Sequence, residues 1–184
     1  MTRATRLAVA SLTRICRLVA DGDRLFTLAT GTDGHRFAAW PYGCIQLPRD
    51  LVRSWGTPID GTYRLYGSGT IEAAELKGFG PELVVAEMLP RLALLTRHTV
   101  TATPWMYERD GYVRRLLVRD DGEQAIVDQE LWRAWSSVLD LPAYQVGSKH
   151  GMVVWAPAVD VTAVAGLLPV YSPVALAPPE AAIA

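Results

Sequence analysis

The stretch LATGTDGHRFAAW, residues 28–40, sets an Asp-Gly pair between two apolar runs. That pair is the strongest short-range signal for a β-hairpin, because a two-residue type I′ turn needs positive φ at both central positions. The pattern predicts strands at 24–30 and 35–41 joined by a type I′ turn at Asp33-Gly34. It does not explain the residues that follow. Alternation along the second strand places His35 and Phe37 on one face and Arg36 on the other. A core-facing strand edge satisfies that pattern with no function, and so does one wall of a binding pocket.

Working outward, residues 7–20 read as a helix bounded by Asp21-Gly22-Asp23. A short helix is expected at 48–55, with Pro48 at its first turn and Gly56 just past its end. Tyr63–Tyr66 and Thr70–Leu76 read as strands joined around Gly67-Ser68-Gly69. The second half repeats this order. LPRDLVRSW (47–55) aligns with VDQELWRAW (127–135) at an offset of 80, pairing Asp50 with Glu130, Leu51 with Leu131, Arg53 with Arg133 and Trp55 with Trp135. Gly67-Ser68 meets Gly147-Ser148 at the same offset, and Asp110-Gly111 repeats the hairpin signal between Trp105–Tyr107 and Tyr112–Val118. Matching element order favours an internal duplication. In residues 81–103, Pro81 opens a helix that Pro90 ends, and the β-branched run Thr96–Thr103 reads as a strand. The expected organisation is one module over 1–80, a second over 81–171, and an Ala/Pro-rich flexible tail at 172–184.

The 184 residues suffice for a real core, and the formal net charge is −1. No charge-free apolar run reaches the roughly 20 residues of a membrane span. Arg14 and Arg17 interrupt the apolar stretch Leu7–Ala20, which argues against a signal segment and for a cytoplasmic protein. Cys16 and Cys44 are too few for a disulfide framework or a zinc site. Near-neutral charge excludes a global polycation but not a basic face, so charge placement matters more than the sum.

Enzyme signatures are weak. Gly67-Ser68-Gly69 lacks the rest of a dinucleotide fingerprint, and no phosphate-loop Gly-Lys-Ser/Thr is present. His35, His98 and His150 stand without ligand spacing to one another or to a cysteine. The expectation is therefore no catalytic residue, no metal and no cofactor. A Ser-His-Asp site assembled in space, or a small hydrolase using His35 or His150, stays open as an alternative. The arginines say more. Arg3, Arg6, Arg14 and Arg17 fall within an arc of about 80° if the first helix begins near Thr2. Arg49 and Arg53 share a face of the second helix, and Arg133 repeats Arg53. A solvated face accounts for these stripes, and so does a phosphate-facing surface without sequence preference.

LATGTDGHRFAAW, CIQLPRDLVRSW and GTYRLYGSGTIEAAE together resemble the middle domain of the bacterial DNA polymerase sliding clamp family. That domain carries an Ala-Thr-Asp-Gly-His-Arg-Leu hairpin, an Ile-Ile-Pro-Arg-like lead into a short helix, and paired strands. RLLVRDDGEQAIVDQELWRAW through GLLPVYSP is similar to the family's last domain, with Leu168-Pro169-Val170-Tyr171 in place of its closing Met-Pro-Met-Arg-like segment. The resemblance implies an α+β fold of duplicated clamp modules, with helices on one face of antiparallel sheets. It implies a ring around double-stranded DNA, with Arg3, Arg6, Arg14, Arg17, Arg49, Arg53 and Arg133 facing the duplex. It also implies a pocket for a short peptide of a polymerase or other replication or repair protein. The matching positions are Thr32, Gly34, His35, Arg36 and Phe37, with Leu168, Pro169 and Val170, and with Pro90 as a further candidate.

Three departures stand out. The chain has room for two modules, whereas the bacterial family has three per subunit; six modules then require three copies in a head-to-tail trimer. Phe37 replaces the usual leucine, and Tyr171 replaces the terminal arginine, with further chain beyond it. The expected function is a processivity factor that tethers a DNA enzyme and catalyses nothing itself. The alternative within the same fold is a module that forms no ring and sequesters clamp-binding peptides.

Overall fold

The computed structural model describes residues 3–19, 24–41, 43–75, 96–137, 139, 141–147, 151–156 and 165–167. In chain order the elements are α1 (Arg3–Val19), β1 (Leu25–Thr30), β2 (Arg36–Trp40), β3 (Gly43–Gln46), α2 (Arg49–Ser54), β4 (Gly61–Leu65) and β5 (Ile71–Ala73). Then follow β6 (Arg97–Arg109), β7 (Tyr112–Arg119), β8 (Gln124–Asp128), α3 (Gln129–Ser136), β9 (Ala143–Val146), β10 (Val153–Trp155) and β11 (Ala165–Leu167). The fold is α+β, and among the described residues every strand pairing is antiparallel. The expected strand at Thr70–Leu76 shortens to β5. The expected helix after Pro81, the Asp21-Gly22-Asp23 boundary and the 172–184 tail lie outside the described residues.

The hairpin at 28–40 forms, with Thr30 opposite Arg36 and Thr27 opposite Ala39. Its turn is not type I′. Only Gly34 has positive φ (77°), whereas Asp33 does not. The Gly34 N–H donates to the Gly31 carbonyl (2.9 Å) and the Gly31 N–H to the His35 carbonyl (2.8 Å), a type I turn closed by a bulge at Gly34. The physical reason is local: Asp33 Oδ1 accepts the His35 N–H at 3.0 Å, an Asx contact that the loop between Thr30 and Arg36 has room for. At the second Asp-Gly pair both residues do take positive φ, Asp110 at 56° and Gly111 at 77°. There Arg109 faces Tyr112 directly, leaving the two-residue loop that a type I′ turn requires.

All strands join in one order, β5-β4-β1-β2-β3-β11-β10-β9-β6-β7-β8. Within 25–73 the order is β3-β2-β1-β4-β5, and within 97–155 it is β8-β7-β6-β9-β10. In each half three consecutive strands lead into a short helix, and the next strand returns beside the first. The halves meet through β3 and β11, with Gly43 opposite Leu167 and Ile45 opposite Ala165. β6 spans two ladders: Arg97–Thr99 pair with β9, while Val100–Arg109 pair with β7. Pro104, which has no N–H to donate, falls where the β6–β7 register shifts between Ala102 and Met106.

Alternation along the strands sorts the core onto two faces. Phe26, Leu28, Ala38, Trp40, Ile45, Leu117, Val127, Val153 and Trp155 pack with Val9, Leu12, Ile15 and Cys16 of α1, Leu51 and Val52 of α2, and Ala134 and Trp135 of α3. All three described helices therefore cover the same face. The intervening residues Ala29, Phe37, Ala39, Cys44, Val146, Met152 and Val154 form a second buried cluster on the opposite face. Buried tryptophans tie the helix layer to the sheet. The Trp135 indole N–H donates to the Cys44 carbonyl at 3.0 Å, 91 residues away in sequence. Its ring meets Trp40 edge-on at 5.7 Å. Gly69 (φ 84°) lets α1 approach the β4–β5 turn, where a Cβ would sit 3.2 Å from a methyl of Val9.

Candidate functional site

The candidate residues that the structure describes fall on two surfaces: the outer side of the helix layer and the hairpin at 31–37. On α1 the buried residues Val9, Leu12, Ile15 and Cys16 occupy one side of the helix. At 100° per residue the arginines at 6, 14 and 17 centre on the opposite side. Arg6, Arg14 and Arg17 are exposed, as are Arg49 and Arg53 on α2 and Arg133 on α3. The side chain of Arg3 lies outside the described residues. The three helices carry seven arginines against two acidic residues, Asp50 and Glu130. The whole chain carries −1, so the rest of it is net acidic and positive charge is concentrated on this layer.

Helix boundaries hold these groups in place. Asp128 caps α3, its Oδ1 accepting the N–H groups of Glu130 and Leu131, both at 3.0 Å. At α2 the capping position is Pro48, whose carbonyl accepts from Leu51 (3.0 Å) and Val52 (3.2 Å), and no side chain caps that end. Arg133 Nη1 lies 3.4 Å from Glu130 Oε1, and Arg14 Nη2 lies 3.8 Å from Glu130 Oε2. Arg53 Nη1 lies 3.8 Å from Asp50 Oδ1. In these contacts the arginine and carboxylate side chains are 43–74% exposed, so water screens the pairs and leaves the layer positive overall.

In the hairpin, Thr32 and Gly34 are exposed at the turn, His35 and Arg36 are half-buried, and Phe37 is 3% exposed. His35 Nδ1 lies 2.8 Å from Asp33 Oδ2, a close polar contact without hydrogen-bond alignment. Partial burial pushes the Asp33 carboxyl up, but the His35 N–H and ring outweigh it and hold the group below the ordinary value. Arg36 turns to the helix-side face. Its guanidinium donates to the Pro58 carbonyl (2.8 Å) and sits 2.9 Å from Asp60 Oδ1. Asp60 also accepts from the Thr30 N–H (2.9 Å) and hydroxyl (2.8 Å). Arg36 thus pins the hairpin to the loop before β4.

Phe37 packs under the turn; a Cβ on Gly31 would sit 2.9 Å from its ring. Its cluster includes Val146, Met152 and Val154 from the second half, a juxtaposition with no signature in the sequence. Pro90, Leu168, Pro169 and Val170 lie outside the described residues. Leu167, just before them, pairs with Gly43, which pairs with Trp40 at the end of β2 away from the turn.

A further cluster escaped sequence reasoning, which left His98 solitary. His98 Nδ1 lies 2.9 Å from Asp120 Oδ1 and 3.3 Å from Asp121 Oδ2. Pairing of Val100 with Arg119 brings them together, so linear spacing carries no sign of it. Both carboxylates are already engaged. Asp120 accepts the Thr99 N–H at 3.0 Å, and Asp121 grips the buried Arg119 guanidinium with both oxygens. Arg119 also donates to the Gly147 carbonyl at 3.3 Å. The His98 contact holds the Asp120 carboxyl below its ordinary value, and Arg119 does the same for Asp121. The cluster thereby ties β6, the β7–β8 turn and the end of β9 together where the two ladders of β6 meet.

Among the described residues no helix is long and apolar enough to cross a membrane. Comparison with protein-family models, curated proteins and solved structures finds no significant match to this chain.

Proposed function

We propose that this chain is a sliding-clamp-like processivity factor, built from duplicated clamp modules. It encircles double-stranded DNA without sequence preference and tethers a polymerase or another replication or repair enzyme. The observation that carries this reading is the concentration of seven arginines and two acids on helices covering one face of a continuous antiparallel sheet, in a chain of net charge −1. Guanidinium groups spread over helices, with no base-reading constellation among the described residues, suit loose phosphate contact. The shared strand order of the two halves supports duplication.

A ring of identical copies needs two different contact surfaces at opposite ends of the subunit. Among the described residues the sheet ends in β5 on one side and β8 on the other. Of the large exposed apolar side chains among the described residues, Ile59 and Tyr66 flank β4 beside one edge, Met106, Tyr112 and Val113 lie in the β6–β7 hairpin toward the other, and Leu18 lies on α1. That placement supports head-to-tail closure, and two modules per copy favour a trimer. The tethered enzyme engages through a short peptide at the Thr32–Phe37 hairpin. The protein acts by topology and is not itself an enzyme. It works in the cytoplasm.

The test combines native mass with retention on DNA. A trimer retained on closed circular DNA and lost from the same DNA after linearisation is the expected result. A monomer that still binds short peptides leads instead to the module that forms no ring. Equal retention on both DNA forms removes encirclement.

A further inference from the structure

We infer that Glu130 is an internal stand-in for a DNA phosphate, a carboxylate that fills the seat between Arg14 and Arg133 and keeps the basic face at low affinity. The inference rests on the proposed DNA contact and assigns Glu130 a role within it. Arg14 belongs to α1 and Arg133 to α3, yet both reach the same side chain. Arg14 Nη2 stands 3.8 Å from Oε2, and Arg133 Nη1 stands 3.4 Å from Oε1. Guanidinium groups from separate helices thus converge on one anion, in the arrangement that suits two oxygens of a carboxylate or of a phosphodiester. The three side chains are 43–59% exposed, so the seat opens to solvent on the outer side of the helix layer. Asp50, the other acid of this layer, contacts a single arginine of its own helix, Arg53 at 3.8 Å.

A solvent-exposed ion pair of this kind contributes little to stability, so removing the carboxylate leaves the fold intact and frees both arginines for a phosphate. The carboxylate charge still opposes the backbone and lowers the gain from each encounter. A ring that must move along DNA benefits from that opposition, because every firm phosphate contact adds to the barrier for the next step.

The experiment measures binding of the full-length protein and its Glu130→Gln variant to a short linear DNA duplex over a salt series, with Asp50→Asn as control. Releasing the seat for one further phosphate steepens the log–log salt dependence by about 0.9. Between about 50 and 200 mM salt, Glu130→Gln then loses about threefold more affinity than the parent, while binding more tightly at the low-salt end. Asp50→Asn is expected to change binding less, since it frees one arginine rather than two. Equal affinity and slope for parent and Glu130→Gln, with both binding, overturn the inference and leave the basic-face reading standing. An equal gain in Glu130→Gln and Asp50→Asn also overturns it, because net charge then explains the effect. Absence of duplex binding by the parent at the lowest salt overturns the proposed DNA contact itself.

Discussion

Trp135 gives the sharpest test of how the halves are joined. Its side chain is fully buried, its indole N–H donates to the Cys44 carbonyl at 3.0 Å, and its ring meets Trp40 at 5.7 Å. Trp135→Phe keeps an aromatic ring but removes the donor and part of the volume. The lost hydrogen bond costs about 1 kcal/mol, and leaving the Cys44 carbonyl with one partner fewer in a dry environment adds about as much again. The space left by the smaller ring brings the total to about 2–4 kcal/mol. Against a whole-domain stability of roughly 5–15 kcal/mol this is a large loss. At about 2–4 °C per kcal/mol for a chain of this size, the melting midpoint falls by about 5–15 °C. Urea unfolding followed by tryptophan fluorescence and far-ultraviolet circular dichroism measures it. A double-mutant cycle with Trp40→Leu isolates the ring contact, expected at about 0.5–1.5 kcal/mol. A Trp135→Phe variant within about 0.5 kcal/mol of the parent refutes the assignment of Trp135 as the link between α3 and β3.

Asp128→Ala removes both hydrogen bonds that cap α3 and is expected to cost about 1 kcal/mol in urea unfolding; Asp128→Asn, which keeps the acceptor, restores most of it. Burial pushes the thiols of Cys16 and Cys44 up to about 12, so a thiol reagent at neutral pH labels them only as fast as the protein unfolds. Rapid labelling of native protein contradicts their placement in the core. Asp33, Asp120 and Asp121 are held below the ordinary value of 3.8, so their pairing stabilises the fold above that value and is lost as pH falls through their lower folded values. Asp120→Asn flattens that acid limb of the stability profile; an unchanged limb contradicts the His98–Asp120 contact.

Much of this protein is local and therefore legible in its sequence. Alternation in 28–40 determined the β1–β2 hairpin. The breaks at Pro48 and Gly56 determined α2, and the 100° spacing of arginines on α1 determined their common side, because each depends on neighbours within one turn or one strand. The hairpin's turn type was not legible, since Asp-Gly serves both a type I′ turn and a type I turn with a bulge. Strand partners decide between the two, by how many residues the ladder leaves in the loop. Nor were the four-residue β3 and the three-residue β11 legible, because segments so short have no periodicity of their own. Each is held between two neighbours, β3 between β2 and β11 and β11 between β3 and β10, and the β3–β11 partner lies more than a hundred residues away. The union of His98 with Asp120 and Asp121, the meeting of Phe37 with Val146 and Met152, and the convergence of Arg14 and Arg133 on Glu130 belong to the same class. Sequence periodicity assigns a residue to a face. Only the register of distant strands and the packing of helices across them decide which residues share that face, because those contacts are set by burial of the whole core rather than by any neighbour along the chain.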